Sequence, residues 1–262
     1  MARTQGLNDP ANSSPNHSVS MKGIQEMAQD VNVQVGDATM GIYVAEPDGD
    51  AKGAIVVVQE AFGVNDHIRS LCHRIAEAGY VAAAPHLFHR SGDPELGYED
   101  MMQVVPYISQ LQVNNLEADI QGALTLLAGM GYEGKRVGVV GWCMGGSVSF
   151  LAACYWELGA AVSFYGGGIT QGRFGIPPLL DLAPTLQTPW LGLFGDLDAS
   201  IPTDEVEALR TTAAEKAKVA SAVVRYADAD HGFNCDARSS YHEASATDGW
   251  ARMLAWFDQH IS

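Results

Sequence analysis

Short runs of β-branched and other apolar residues recur along this chain, and between them lie stretches whose apolar residues fall at helical spacing. The runs at residues 54–58, 80–84, 137–140, 161–165, 190–194 and 222–226 predict strands, the first of them buried on both faces. Between them, Ile68, Leu71, Cys72 and Ile75 fall at i, i+3, i+4 and i+7, with Gly79 at the C-cap. Leu116, Ile120, Ala123, Leu124 and Leu127 form a second apolar face behind Asn114 as cap, and Val148, Leu151, Ala152 and Tyr155 a third. Val206, Leu209 and Ala213 follow Pro202 at an expected N1 position, and a last helix from about Ser239 carries Trp250, Met253, Leu254 and Phe257. This alternation predicts an α/β fold with one mostly parallel sheet and helices on both faces. Upstream, residues 31–35 and 41–45 predict a hairpin turning through Gly36 and Asp37. With no internal repeat or linker, a single domain is expected over 29–262, after a flexible tail over 1–28 rich in Asn, Ser and Pro.

Charge and cysteine usage then exclude whole classes of function. The 262 residues hold 15 Lys plus Arg against 31 Asp plus Glu, a net charge of −16. The longest basic grouping is Lys135 with Arg136, so nucleic acid is excluded as a partner. No apolar stretch is long enough for a membrane span, and the first residues lack the apolar segment of a secretory signal. The 4 cysteines show no C-x-x-C pair, which fits a reduced, cytoplasmic chain. Cys72 and Cys154 read as packing, and Cys235 as pocket lining or core. His86 and His89 lack a metal-ligand motif, and the glycine run 166–168 lacks a dinucleotide fingerprint, so neither metal nor cofactor is expected.

In open α/β sheets, ligands gather at the carboxyl ends of strands, which directs attention to Glu60, Cys143, Asp196 and His231. The sequence G-W-C-M-G-G, residues 141–146, lies between a strand and a helix and has the G-x-nucleophile-x-G form of a nucleophile elbow. Cysteine stands in the place of the usual serine. The turn would set the Cys143 sulfur at a helix N-terminus, whose free N–H groups favour thiolate. Cys143, Asp196 and His231 follow one another in the nucleophile, acid, histidine order of α/β-hydrolases. Asp198 competes with Asp196 for the acid role; Asp196 is preferred as nearer the strand end, and Asp198 also reads as a turn residue.

Together, Q-E-A-F-G (59–63), P-H-L-F-H-R (85–90), G-W-C-M-G-G, F-G-D-L-D (194–198) and H-G-F (231–233) resemble the dienelactone hydrolase family, over nearly the whole chain beyond the tail. The resemblance implies an α/β-hydrolase fold and a cofactor-free enzyme that opens lactone rings or cleaves activated esters. It makes Cys143 the nucleophile, His231 the base and Asp196 its orienting acid. Glu60 matches the family glutamate that helps deprotonate the sulfur once substrate binds, and the amides of Ala61 and Met144 would form the oxyanion hole. Arg90 matches an arginine that holds the substrate carboxylate. The second family arginine is replaced at the aligned place by Cys235, with Arg238 displaced by a few positions. Trp142 and Tyr165 flank the site, as contacts for an aromatic or diene substrate or as core. The expected partner is a small anionic ester or lactone, with monomer and small homo-oligomer both open. A broader carboxylesterase or thioesterase is the alternative, and a non-catalytic ligand-binding fold is a third.

Overall fold

The computed structural model describes residues 28–262. The expected tail therefore lies outside the described residues, except for Ala28, which already begins a strand. The strands are β1 (Ala28–Val35), β2 (Ala38–Ala45), β3 (Gly53–Val58), β4 (Tyr80–Pro85), β5 (Val137–Trp142), β6 (Ala160–Phe164), β7 (Trp190–Gly195) and β8 (Ser221–Tyr226). They form an 8-stranded sheet in the order β1-β2-β4-β3-β5-β6-β7-β8. β1 and β2 form the expected antiparallel hairpin, β2 joins β4 antiparallel, and every other pairing is parallel. β3, β4, β5 and β7 are buried along their whole length, as their unbroken apolar sequences require.

The helices are α1 (Asp66–Glu77), α2 (Val105–Ile108), α3 (Val113–Gly129), α4 (Met144–Tyr155), α5 (Leu179–Leu182), α6 (Thr203–Lys216) and α7 (Glu243–His260). α3, α4, α5 and α6 pack on one face; α1 and α7 cover the other, where the Arg74 guanidinium lies 3.7 Å from the Trp250 ring centroid. Three helix starts differ from expectation. α3 begins at Val113 with Gln112 as cap, so Asn114 lies inside its first turn. Pro202 is the N-cap of α6 instead of N1. α7 starts at Glu243 because the preceding residues are held in turns, Tyr241 N–H donating to Arg238 and His242 N–H to Phe233.

Strand order fixes where a ligand can enter. From β3 the chain steps to β4 on one side, then returns to lay β5 on the other. The connections leaving β3 and β5 therefore diverge onto opposite faces and open a crevice between those two strand ends. Val58 pairs with Gly141, so Glu60 and Cys143 leave the sheet side by side. Farther along, Gly195 pairs with Tyr226, so the segments carrying Asp198 and His231 also emerge from neighbouring strands.

Candidate active site

Cys143 sits between β5 and α4 with φ 56 and ψ −118, a left-handed conformation that a side-chain-bearing residue adopts at a cost. The turn closes because its neighbours lack side chains. A Cβ on Gly145 would lie inside the carbonyl of Val58 and 2.5 Å from that of Gln59, while one on Gly141 would collide with the carbonyl of Gly145. Cys143 N–H donates to the Phe164 carbonyl at 3.0 Å, which ties the elbow to β6. Met144 is the first residue of α4, so its amide has no intrahelical acceptor. Neither it nor the Ala61 amide donates to a carbonyl among the described residues.

His231 Nδ1 lies 2.6 Å from Asp198 Oδ2. Burial alone would lower its pKa, but Cys143 and Asp198 beside it outweigh that, and it is raised from 6.5 to about 10. Asp198 is 2% exposed at its side chain. Burial would raise its carboxyl, yet the hydrogen bonds from His231 and Ser200 hold it below the usual range. Its other oxygen accepts from Ser200 N–H at 2.9 Å and Ser200 Oγ at 2.7 Å, so Asp198 is both a turn residue and the histidine's partner.

Asp196 is thus a correction. It faces β8, where Arg225 donates to both its oxygens at 2.6 and 2.8 Å and also binds Glu207 at 2.7 Å. Arg90 is a second correction. It donates to Asp119 at 2.8 Å and lines a separate cavity of about 150 Å³ with Tyr107 and Gln110. Asp119, 1% exposed, must be neutralised there, and His89 Nε2 lies 3.1 Å from its other oxygen. Trp142 belongs to the core instead of the substrate surface: it is fully buried, stacks on Phe164 at 5.3 Å and donates to Asn234 at 3.0 Å. Tyr165 is also fully buried, its ring 5.0 Å from that of His231, so it supports the histidine from below.

Arg238, despite its displacement in the sequence, reaches the site. Its Nη1 lies 3.5 Å from Glu60 Oε1. Burial would lower its pKa, but Glu60, with Cys143, Tyr165 and Cys235 adding to it, more than offsets that, and the guanidinium stays charged. The fully buried Glu60 also accepts from Tyr98 Oη at 3.0 Å, and Asn65 Nδ2 donates to the same phenol at 3.2 Å. Asn65 does double duty, because its Oδ1 caps α1 by accepting from Ile68 N–H at 3.2 Å. No motif in the sequence marks Tyr98 or Asn65. Tyr98 lies in a loop with no periodicity, while N-x-H one residue upstream of a helical face offered a faint cap signal. The mouth is a cavity of about 350 Å³ lined by Tyr98, Met101, Asp230, His231, Arg238 and neighbouring residues. A larger cavity of about 510 Å³, between β1 and α3, is lined by no ionisable side chain among the described residues.

The Dienelactone hydrolase family model matches residues 40–261. A Salmonella typhimurium protein, provisionally named a carboxymethylenebutenolidase, is 39% identical over 227 residues, covering 84% of this chain and 83% of its own. The carboxymethylenebutenolidase of Pseudomonas putida is 28% identical over 225 residues, covering 84% of this chain and 92% of its own. Among solved structures, a Klebsiella pneumoniae protein provisionally named a dienelactone hydrolase superposes with a TM-score of 0.81 at 39% identity, covering 89% of this chain and 98% of the other. No helix among the described residues is long and apolar enough to cross a membrane.

Proposed function

Because the chain belongs to the dienelactone hydrolase family and is a hydrolase, we propose that it opens lactone rings or cleaves activated carboxylic esters through Cys143, His231 and Asp198. The observation that carries this reading is the pairing of His231 with Asp198 at 2.6 Å, with Cys143 at a strained elbow near enough to help raise the pKa of the same imidazole. The thiol proton passes to His231 as the sulfur attacks the ester carbonyl, and Asp198 holds the imidazole in place. The amides of Ala61 and Met144 stabilise the oxyanion. The C–O bond then breaks, the leaving oxygen takes the proton from His231, and a thioester remains on Cys143. Water deprotonated by His231 attacks that thioester and releases the acid, restoring the thiol.

Glu60 assists in removing the thiol proton when substrate arrives. Its tie to Arg238 supports this, because a substrate carboxylate competes for the same guanidinium and frees the glutamate. A thiolate leaves more readily than an alkoxide and displaces amines poorly, so activated esters are preferred to peptides. A second reading, a broader carboxylesterase or thioesterase, draws support from the mouth, where Arg238 is the one arginine among the lining residues. Rates on a dienelactone, p-nitrophenyl acetate and an acyl thioester separate the two. Cys143→Ala should lower kcat for lactones and aryl esters by a factor on the order of 10⁴ to 10⁶. Unchanged hydrolysis in that variant overturns the assignment.

A further inference from the structure

Beside the catalytic groups lies a cluster that the reaction does not use in full. One ligand atom each from Glu60, His67 and Cys235 falls within 4.8 Å of the others, and all three residues are buried. They come from the β3 end, the first turn of α1 and the loop after His231. His67 Nδ1 faces the exposed Asp236 at 3.7 Å, while Nε2, on the other edge of the ring, is buried without a partner among the described residues. The His67 side chain is only 7% exposed, so water does not readily satisfy that nitrogen. A carboxylate behind one imidazole nitrogen and an open lone pair at the other is the arrangement that readies a histidine for a metal.

We propose that Glu60, His67 and Cys235 bind a thiophilic divalent cation such as Zn²⁺, and that the bound ion holds the hydrolase inactive by occupying Glu60. The second half rests on the role given to Glu60 above. Thiolate, imidazole and carboxylate are the donor set that Zn²⁺ prefers. On binding, the Cys235 S–H proton is released to solvent and the sulfur–metal bond replaces it. The thiolate and Glu60 together balance the charge of the ion. Arg238, 3.5 Å from Glu60, opposes it and so moderates the affinity, which suits reversible control.

Co²⁺ alone, added to the metal-free full chain, reports the site through thiolate-to-metal charge-transfer absorption. The band should saturate near one ion per chain in the parent and persist in Cys143→Ser. In Cys235→Ser, Cys235→Ala and His67→Gln it should be lost or need about 100-fold more metal, since even outer partners of a metal site are worth about 10–100-fold in affinity. Near-UV circular dichroism verifies that every metal-free variant folds, and ester hydrolysis does so for the His67 and Cys235 variants, which keep the nucleophile. No band in the parent, or a band that disappears with Cys143 and survives without Cys235, overturns the site. Zn²⁺ should lower parent ester hydrolysis at least tenfold, reversibly by chelator, and spare the His67 and Cys235 variants. A saturated site with full activity overturns the inhibitory half. A metal-free parent with no ester hydrolysis overturns that half together with the function above, while the absorption still decides the site.

Discussion

The two aspartates after β7 carry different duties, and their surroundings say what each substitution does. Asp198 is buried against His231, whereas Asp196 is partly exposed within an ion pair with Arg225. Asp198→Asn keeps the shape but removes the charge that holds the imidazolium, so kcat should fall by a factor on the order of 10² to 10⁴. Asp196→Asn should leave kcat within about twofold and cost roughly 1 kcal/mol at most, the scale of a surface ion pair. Steady-state rates and thermal melts measure both, and equal losses of kcat would refute the distinction. Titration of the His231 ring gives an independent readout: its raised pKa should drop in Asp198→Asn and hold in Asp196→Asn. A raised histidine stabilises the fold fully below its ordinary 6.5, and that contribution is lost as pH rises through about 10. Sequence order suggested Asp196 because it lies nearer the strand end. Distance along the chain says nothing about which way the next turn faces, and here Leu197 N–H bonds Ala229 and swings Asp198 toward His231. Arg225 held the missing signal, as a cation on the strand paired with β7 offers the nearer carboxylate a partner.

The strand and helix rhythm was legible because each buried strand is a continuous apolar run and each helix has an apolar face, properties local to the chain. The segments that line the mouth lack such periodicity: the loop holding Tyr98 and the 3-10 turn that starts at Met101 have no repeating apolar face, and Tyr98 makes its contact with the distant Glu60. The elbow was legible for a different reason, since its glycines answer to backbone collisions. That distinction is testable between glycines of neighbouring helices. Gly145→Ala puts a methyl into the backbone leaving β3, against Val58 and Gln59, and no flexible side chain can yield. It should cost at least about 2–3 kcal/mol and displace Glu60 and Ala61, so activity falls even at temperatures where the variant stays folded. Gly129→Ala, at the end of α3, meets nothing within 4 Å among the described residues and should be neutral or stabilise by about 0.5–1 kcal/mol. Thermal melts of the pair decide the matter; similar shifts in both would mean that the elbow is not held by backbone contact.

At the scale of the whole molecule, a net charge of −16 repels the anionic substrates proposed for it. The resemblance made Arg90 the expected counterweight, but Arg90 is neutralised by Asp119, and Arg238 lines the mouth together with the carboxylates Glu99 and Asp230. Attraction must therefore act at contact range, through Arg238, while the field outside works against entry. Two opposite signatures follow. Arg238→Gln should raise KM for an anionic lactone by about 10–100-fold, the worth of a charge-assisted hydrogen bond of about 1.5–3 kcal/mol, and change KM for a neutral aryl ester little. Arg90→Gln should leave both KM values alone and lower Tm, because Asp119 then keeps only His89. Added salt shortens the Debye length to roughly 8 Å at 0.15 M and screens the distant carboxylates more than the contact at Arg238. So kcat/KM for the anionic lactone should rise with ionic strength from low salt, with no trend for the neutral ester. A fall with salt would place a positive field at the mouth and would reverse this account of how an acidic protein admits an acid.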